Sequence, residues 1–160
     1  MATLAPKLPY THPFAGGFPY RGSQRLPSDP DAIDYLNRVK AADGGAGVEV
    51  GVATAVDDFF RGIKADNTFS AIKAACLLCG ARTLAGALVP LVGAAPTNNN
   101  FLPGDYNRQT GLVGNGSTKY LGTNQNANTF DDDDYHHAIY VTQASNVSSI
   151  TFGYSTTGDT

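Results

Sequence analysis

Charge is scarce in this sequence. Only 16% of its 160 residues are Asp, Glu, Lys or Arg, against about a quarter in an ordinary soluble domain. So little charge excludes a coiled coil and argues against a disordered acidic tail. The 11 basic and 14 acidic residues leave a net charge of −3. No basic block stands among them, so nucleic acid is not expected as a partner. Cysteine is nearly absent: Cys76 and Cys79 are too few for the disulfide framework of a small secreted domain. Long hydrophobic runs are missing too. The longest, Leu84 to Ala95, has 12 residues interrupted by Gly86, Pro90 and Gly93, whereas a membrane-spanning helix takes about 20. Met1 to Leu8 lacks the basic start and apolar centre of a secretory signal. The expectation is a soluble chain with no export signal of its own and no membrane contact.

What fills the gap is 18 Gly and 9 Pro with much Asn, Thr and Ser, alongside 42% hydrophobic residues. The length allows one moderate domain or two small ones, and the chain changes character along its course. Residues 1–28 form a proline-aromatic arm in which Pro6, Pro9, Pro13, Pro19 and Pro27 forbid a regular helix. Tyr10, Phe14, Phe18 and Tyr20 make it too apolar for a solvated linker. These four are the candidate contact residues. The arm either folds back over its own domain or docks on a neighbouring subunit.

Residues 29–92 read as helical. Ser28 offers an N-cap before Asp29, Pro30 and Asp31, and Ile33, Leu36 and Val39 recur at helical spacing up to about Asp43. Gly44 and Gly45 end that helix. Val48, Val52, Val56, Phe59, Phe60 and Ile63 form the stripe of a second, with Glu49, Asp57, Asp58 and Lys64 on or beside its wet face. Phe69, Ile72, Ala75, Cys76 and Cys79 predict a third, ended by Gly80. A short turn over Thr83 to Leu88 stops at Pro90.

From residue 93 to 160 the pattern is β-rich. Leu112–Val113 and Tyr120–Leu121 flank a Gly/Asn turn as a hairpin would. Ala138, Tyr140 and Thr142 alternate with His137, Ile139 and Val141 in one predicted strand, and Ile150, Phe152 and Tyr154 mark another. About four strands make an open sheet with bare edges. The fold class is therefore α+β: an arm, a small three-helix region, and the start of an antiparallel β-sandwich. A neighbouring copy, or further chain past Thr160, would complete it.

No constellation of catalytic or metal-binding residues emerges. Cys76-Leu-Leu-Cys79 has no second pair to complete a zinc site, and it falls at a helix C-terminus, where the dipole disfavours a thiolate. Asp131 to Asp134 are oxygen donors of the kind calcium takes, but the EF-hand glycine and terminal glutamate are absent. A solvated loop is the plainer reading. Gly111 to Lys119 lacks the Gly-Lys-Ser/Thr order of a phosphate loop. His12, His136 and His137 stand in no triad-like order. No cofactor, no metal and no enzymatic activity are expected.

The stretches AIKAACLLCGARTLAGALVPLVGAAPTNNN (71–100) and GDYNRQTGLVGNGSTKYLGTNQN (104–126) resemble a family of tailed-bacteriophage structural proteins. The marks are Gly80-Ala-Arg-Thr-Leu84, Pro96-Thr-Asn98, Gly104-Asp-Tyr106 and Gly114 to Leu121. The resemblance runs from residue 30 to about 155 and leaves the arm uncovered. It implies a short helical region leading into a concanavalin A-like or LamG-like sandwich, whose later strands this chain lacks, and it carries over no catalytic residue. The function it implies is a structural component of a tailed-phage virion, such as a tail fibre or tailspike appendage anchored by its N-terminal region. Other virion proteins of the tail or head-to-tail connector would be its partners, with assembly in the host cytoplasm, host attachment as a further role, and a homotrimer as the expected oligomer. A capsid decoration protein bridging major capsid subunits is the alternative, and a sugar-binding module the second.

Overall fold

The computed structural model of the chain describes residues 25–125 and 136–142. Three α-helices and two small antiparallel sheets of two strands each make up these residues, a mixed helix-and-strand architecture. Helix α1 (Pro30–Ala42) has its cap one residue later than the sequence suggests. Asp29, not Ser28, is extended and accepts the amides of Asp31 and Ala32 at 3.0 and 3.2 Å. Pro30 then fills the first helical position, where no N–H is needed. The amide of Ser28 is engaged elsewhere, by Asp57. Gly44 and Gly45 adopt the left-handed backbone just past the helix end.

Helix α2 (Val50–Ala65) lies against α1, and Asn67 follows it in the left-handed region. Ala32, Tyr35 and Val39 of α1 meet Val56 and Phe60 of α2 in the core, together with Ala81, Ala87 and Leu91. Phe69 sets its ring edge-on to Phe60 at 5.9 Å between centroids. Asp57 corrects the expectation of a wet-face residue, since its exposure is 0%. It precedes Phe60 by three positions and so shares the buried side of the helix.

The third long helix does not form. Phe69–Ala71 makes one 3-10 turn, and the chain then extends until Ala75 bridges Val92. Ala75 N–H donates to Val92 O at 3.0 Å and Leu91 N–H to Ala75 O at 2.7 Å. Gly93 permits this pairing. Its φ is +82°, and a Cβ there would drive into the Lys73 carbonyl. Cross-chain bonding has thus overridden the periodic pattern, and Gly80 sits in an extended loop rather than at a helix end. Helix α3 (Leu84–Ala87) is the expected short turn, with Thr83 Oγ1 accepting from Gly86 N at 3.1 Å. Asp43, just beyond α1, grips its start by accepting the amides of Arg82 and Thr83 and the Thr83 hydroxyl at 2.7–2.9 Å.

Strand β1 (Thr97–Asn99) pairs with β4 (Tyr120–Gly122), and β2 (Tyr106–Asn107) pairs with β3 (Gly111–Leu112). The expected hairpin between Leu112–Val113 and Tyr120–Leu121 is therefore replaced. Leu112 faces Tyr106 and Tyr120 faces Asn99. The loop between them folds on Asn115, whose Oδ1 accepts the amides of Ser117, Thr118 and Lys119 at 2.9–3.1 Å. Such a self-contained turn leaves both flanks free to pair upstream. Residues 136–142 are exposed and form no ladder among the described residues, against the predicted strand. Thr142 Oγ1 anchors their far end by donating to Thr110 O at 3.0 Å. The strand expected around Ile150, Phe152 and Tyr154 lies outside the described residues. Tyr106 ties the β part to the helices, its hydroxyl donating to Ala81 O at 2.8 Å.

Candidate docking site

The apolar stripe of α2 is wider than the core can cover. Val56 and Phe60 turn inward, while Val52, Ala55 and Phe59 face outward beside Gly51. Opposite them runs the extended segment that replaces the third helix, with Leu77, Cys79 and Gly80 forming the second wall and Leu91 lying deeper. Gly80, at φ +82°, brings its backbone close to α2, where a Cβ would stand 3.1 Å from a Val52 methyl. The result is an open groove of about 610 Å³. Phe59 and Leu77 remain 42% and 39% exposed on its two sides.

The groove's charged lining residue is Arg108, and it is already paired. Its guanidinium pairs with Glu49, which also has Arg82 at 3.6 Å. Arg82 Nε in turn donates to Gly47 O at 2.6 Å. A surface of methyls and the Phe59 ring beside a paired cation suits apolar side chains.

Thr54 forms the edge of the groove and holds the root of the arm. Its hydroxyl lies 2.9 Å from Val50 O and 3.1 Å from Arg25 O and shares its one proton between the two carbonyls. The Arg25 guanidinium then bridges Asp57 and Asp58 at 2.5 and 2.6 Å. Asp57 Oδ1 accepts the amides of Ser28 and Asp29, each at 2.7 Å. Burial alone would push the Asp57 carboxyl up, but these amides and Arg25 outweigh it and hold it below the usual carboxylate range. Asp29 repeats the arrangement: burial opposes ionisation, and Lys64 with the amides of Ala32 and Asp31 overcomes it. Lys64, bound by Asp29 and Asp31, is raised in return. Arg25 Nε is buried with no acceptor among the described residues.

The residues singled out by sequence are scattered. Tyr10, Phe14, Phe18 and Tyr20, as well as His12 and Asp131 to Asp134, lie outside the described residues. Cys76 and Cys79 are both free thiols but do not act as a pair. Cys76 is half-buried with its sulfur 3.2 Å from Ala87 O, and burial pushes its thiol up, the opposite of a reactive thiolate. Cys79 is exposed in the groove wall. His136 and His137 are exposed. Among the described residues no three His, Cys, Asp or Glu side chains gather as a metal site would require. Lys119, at the end of the glycine-rich loop, is held by Asp105 at 2.6 Å. Its ammonium and the Leu102 amide keep that carboxyl below the usual range. Sequence reasoning missed the groove, although the breadth of the α2 stripe, with Val52, Val56, Phe59, Phe60 and Ile63, signalled more apolar surface than one helix contact could cover.

No family model, no curated protein and no solved structure matches the chain.

Proposed function

We propose that this chain is a non-enzymatic structural subunit of a tailed-phage particle, of the tail-fibre or tailspike type, joined to other virion proteins through its N-terminal region. The observation that carries this reading is an apolar groove that the described residues leave open, lying close to Arg25 in the N-terminal region. Groove and arm together are interaction surface, and the groove's one charged residue is already paired. The sequence resemblance over residues 30–155 supplies the particle. In this reading the two short ladders belong to the first part of a concanavalin-like sandwich, and copies associate as a cyclic homo-oligomer.

Quantitative mass spectrometry of purified particles tests the reading. A few copies per virion are expected, and incorporation should fall when Tyr10, Phe14, Phe18 and Tyr20 are replaced by serine. Hundreds of copies on the head would instead make it a capsid decoration protein. Complete absence from particles overturns the virion assignment.

A further inference from the structure

We propose that Asn115 is a site of spontaneous covalent modification, where the loop itself promotes ring closure with Gly116 and conversion to aspartate and isoaspartate. Asn115-Gly116 is the chain's one Asn-Gly pair. The Asn115 side-chain oxygen accepts the amides of Ser117, Thr118 and Lys119 at 3.1, 2.9 and 3.0 Å. Three N–H donors on one atom require the carbonyl oxygen there, not the amide nitrogen. That nitrogen, Nδ2, donates to Thr118 Oγ1 at 2.8 Å. The side-chain amide is thus held at both ends, while the residue after it is free. Gly116 has a φ of +69°, and a Cβ there would meet nothing within 4 Å. Its own N–H donates to no group among the described residues. Both residues are exposed, so water reaches them.

The chemistry follows from what the donors face. Gly116 N gives its proton to a solvent base and bonds to Asn115 Cγ, and the carbonyl electron pair moves onto Oδ1. The three amides already point at that oxygen, as donors do where an acyl-transfer oxyanion is stabilised. Collapse of the intermediate breaks the Cγ–Nδ2 bond. The nitrogen leaves as ammonia with a proton from the Thr118 hydroxyl, which water restores. Water then opens the cyclic imide at either carbonyl, giving an ordinary aspartate or an isoaspartate with one more methylene in the main chain. Asn107 is the contrast. Its Oδ1 accepts the amides of Gln109 and Thr110 at 2.9 and 3.2 Å, but Arg108 follows it and lacks the backbone freedom of glycine. Either product at position 115 adds a negative charge, and isoaspartate lengthens the loop just before Lys119 and the first residue of β4, Tyr120. The inference goes beyond the virion reading and does not depend on it, because it concerns the purified chain alone.

Ageing the purified chain in mildly alkaline buffer, once folded and once in urea, tests the proposal. Tryptic mapping by mass spectrometry reads the conversion, and an isoaspartyl methyltransferase labels the isoaspartate. The peptide from Gln109 to Lys119 carries Asn115 as its sole asparagine. Conversion should be about tenfold faster in the folded chain, short of the about 10²–10³ that one donor supplies in a water-excluded oxyanion site. Asn107 should stay unmodified in the same digest. Thr118→Val should slow the folded chain and leave the rate in urea unchanged, whereas Thr118→Ser keeps the hydroxyl and should keep the parent's rate. Conversion that is equal or slower in the folded chain overturns the proposal, because the pair would then react only as an unstructured Asn-Gly does. A folded Thr118→Val chain that ages as fast as the parent overturns it too. Neither result bears on incorporation into particles, so the two readings fail separately.

Discussion

Asp57, in the middle of α2, accepts the backbone amide of Asp29 across 28 residues of sequence at a distance of 2.7 Å. It thereby fixes the residue that caps α1. Asp29 then takes Lys64 from the far end of α2 at 2.7 and 2.8 Å. The two carboxylates bind the helices to each other at both ends of one short contact, and Arg25 closes the arrangement from the arm side.

Replacing Asp57 should therefore cost more than an ordinary surface substitution. Asp57→Ala strands the amides of Ser28 and Asp29 and leaves Arg25 with Asp58 alone. Loss of about 3 kcal/mol is expected, as for removal of one partner of a buried charge pair. Asp57→Asn keeps an acceptor and should lose less. Urea denaturation followed by circular dichroism reads both values, and equal stability of Asp57→Ala and the parent would contradict the arrangement.

Stability should fall in acid. Asp29 and Asp57 have folded pKa values below their ordinary 3.8. Depressed carboxylates contribute stability that is present above the unfolded value and lost as pH falls through the folded one. The Tm should thus decline below about pH 4, the unfolded carboxylate range, and the decline should be shallower in Asp57→Asn. Lys64 works in the opposite direction. Its folded pKa is raised above 10.5, so its contribution is complete below that pH and is lost only as pH climbs through the raised value. Thermal melts across the pH range check both limbs.

Two helical glycines should respond with opposite signs. A Cβ at Gly86 would fall against the Asp43 carboxylate and within 3.0 Å of Ala81 Cβ. Asp43 is pinned by Arg82 and Thr83 and cannot simply swing away. Gly86→Ala should lower stability by about 1–3 kcal/mol, the usual range for overpacking. A Cβ at Gly62, in α2, would meet nothing within 4 Å, and Gly62→Ala should add about 0.5–1 kcal/mol. Denaturant midpoints of the two variants test this pair.

The first helix was legible because a capping residue, an early proline, terminal glycines and apolar spacing agree there, and the second because of its apolar spacing alone. Over Phe69 to Cys79 the spacing alone suggests a helix, and local pattern cannot weigh a distant partner. Only the fold brings Val92 beside Ala75, and only the missing side chain of Gly93 lets it stay there. The β segments differ for a related reason. Nearness in sequence favours pairing Leu112 with Tyr120 or Leu121, but Asn115 satisfies that loop internally and both flanks pair with earlier strands. Asp57 is misplaced when a charged residue is assigned to water by type. Its position three before Phe60 already puts it on the inward side, with amide donors that the sequence does not display. The groove's second wall arises where a sequence-predicted helix gives way to extended chain, so the spacing on α2 could signal spare apolar surface but not what would face it.

The two ladders are concentric in sequence, β2 and β3 lying inside the span bounded by β1 and β4. Closing the inner pair first shortens the free chain that the outer pair must gather, and each halving of a loop saves about 0.6 kcal/mol of closure entropy. The β region is thus built to zip from its centre outward. Amide exchange should show the same order in reverse, with the β1–β4 ladder opening while the Val113 amide, held by Asp105 O at 2.9 Å beside β2 and β3, stays shut.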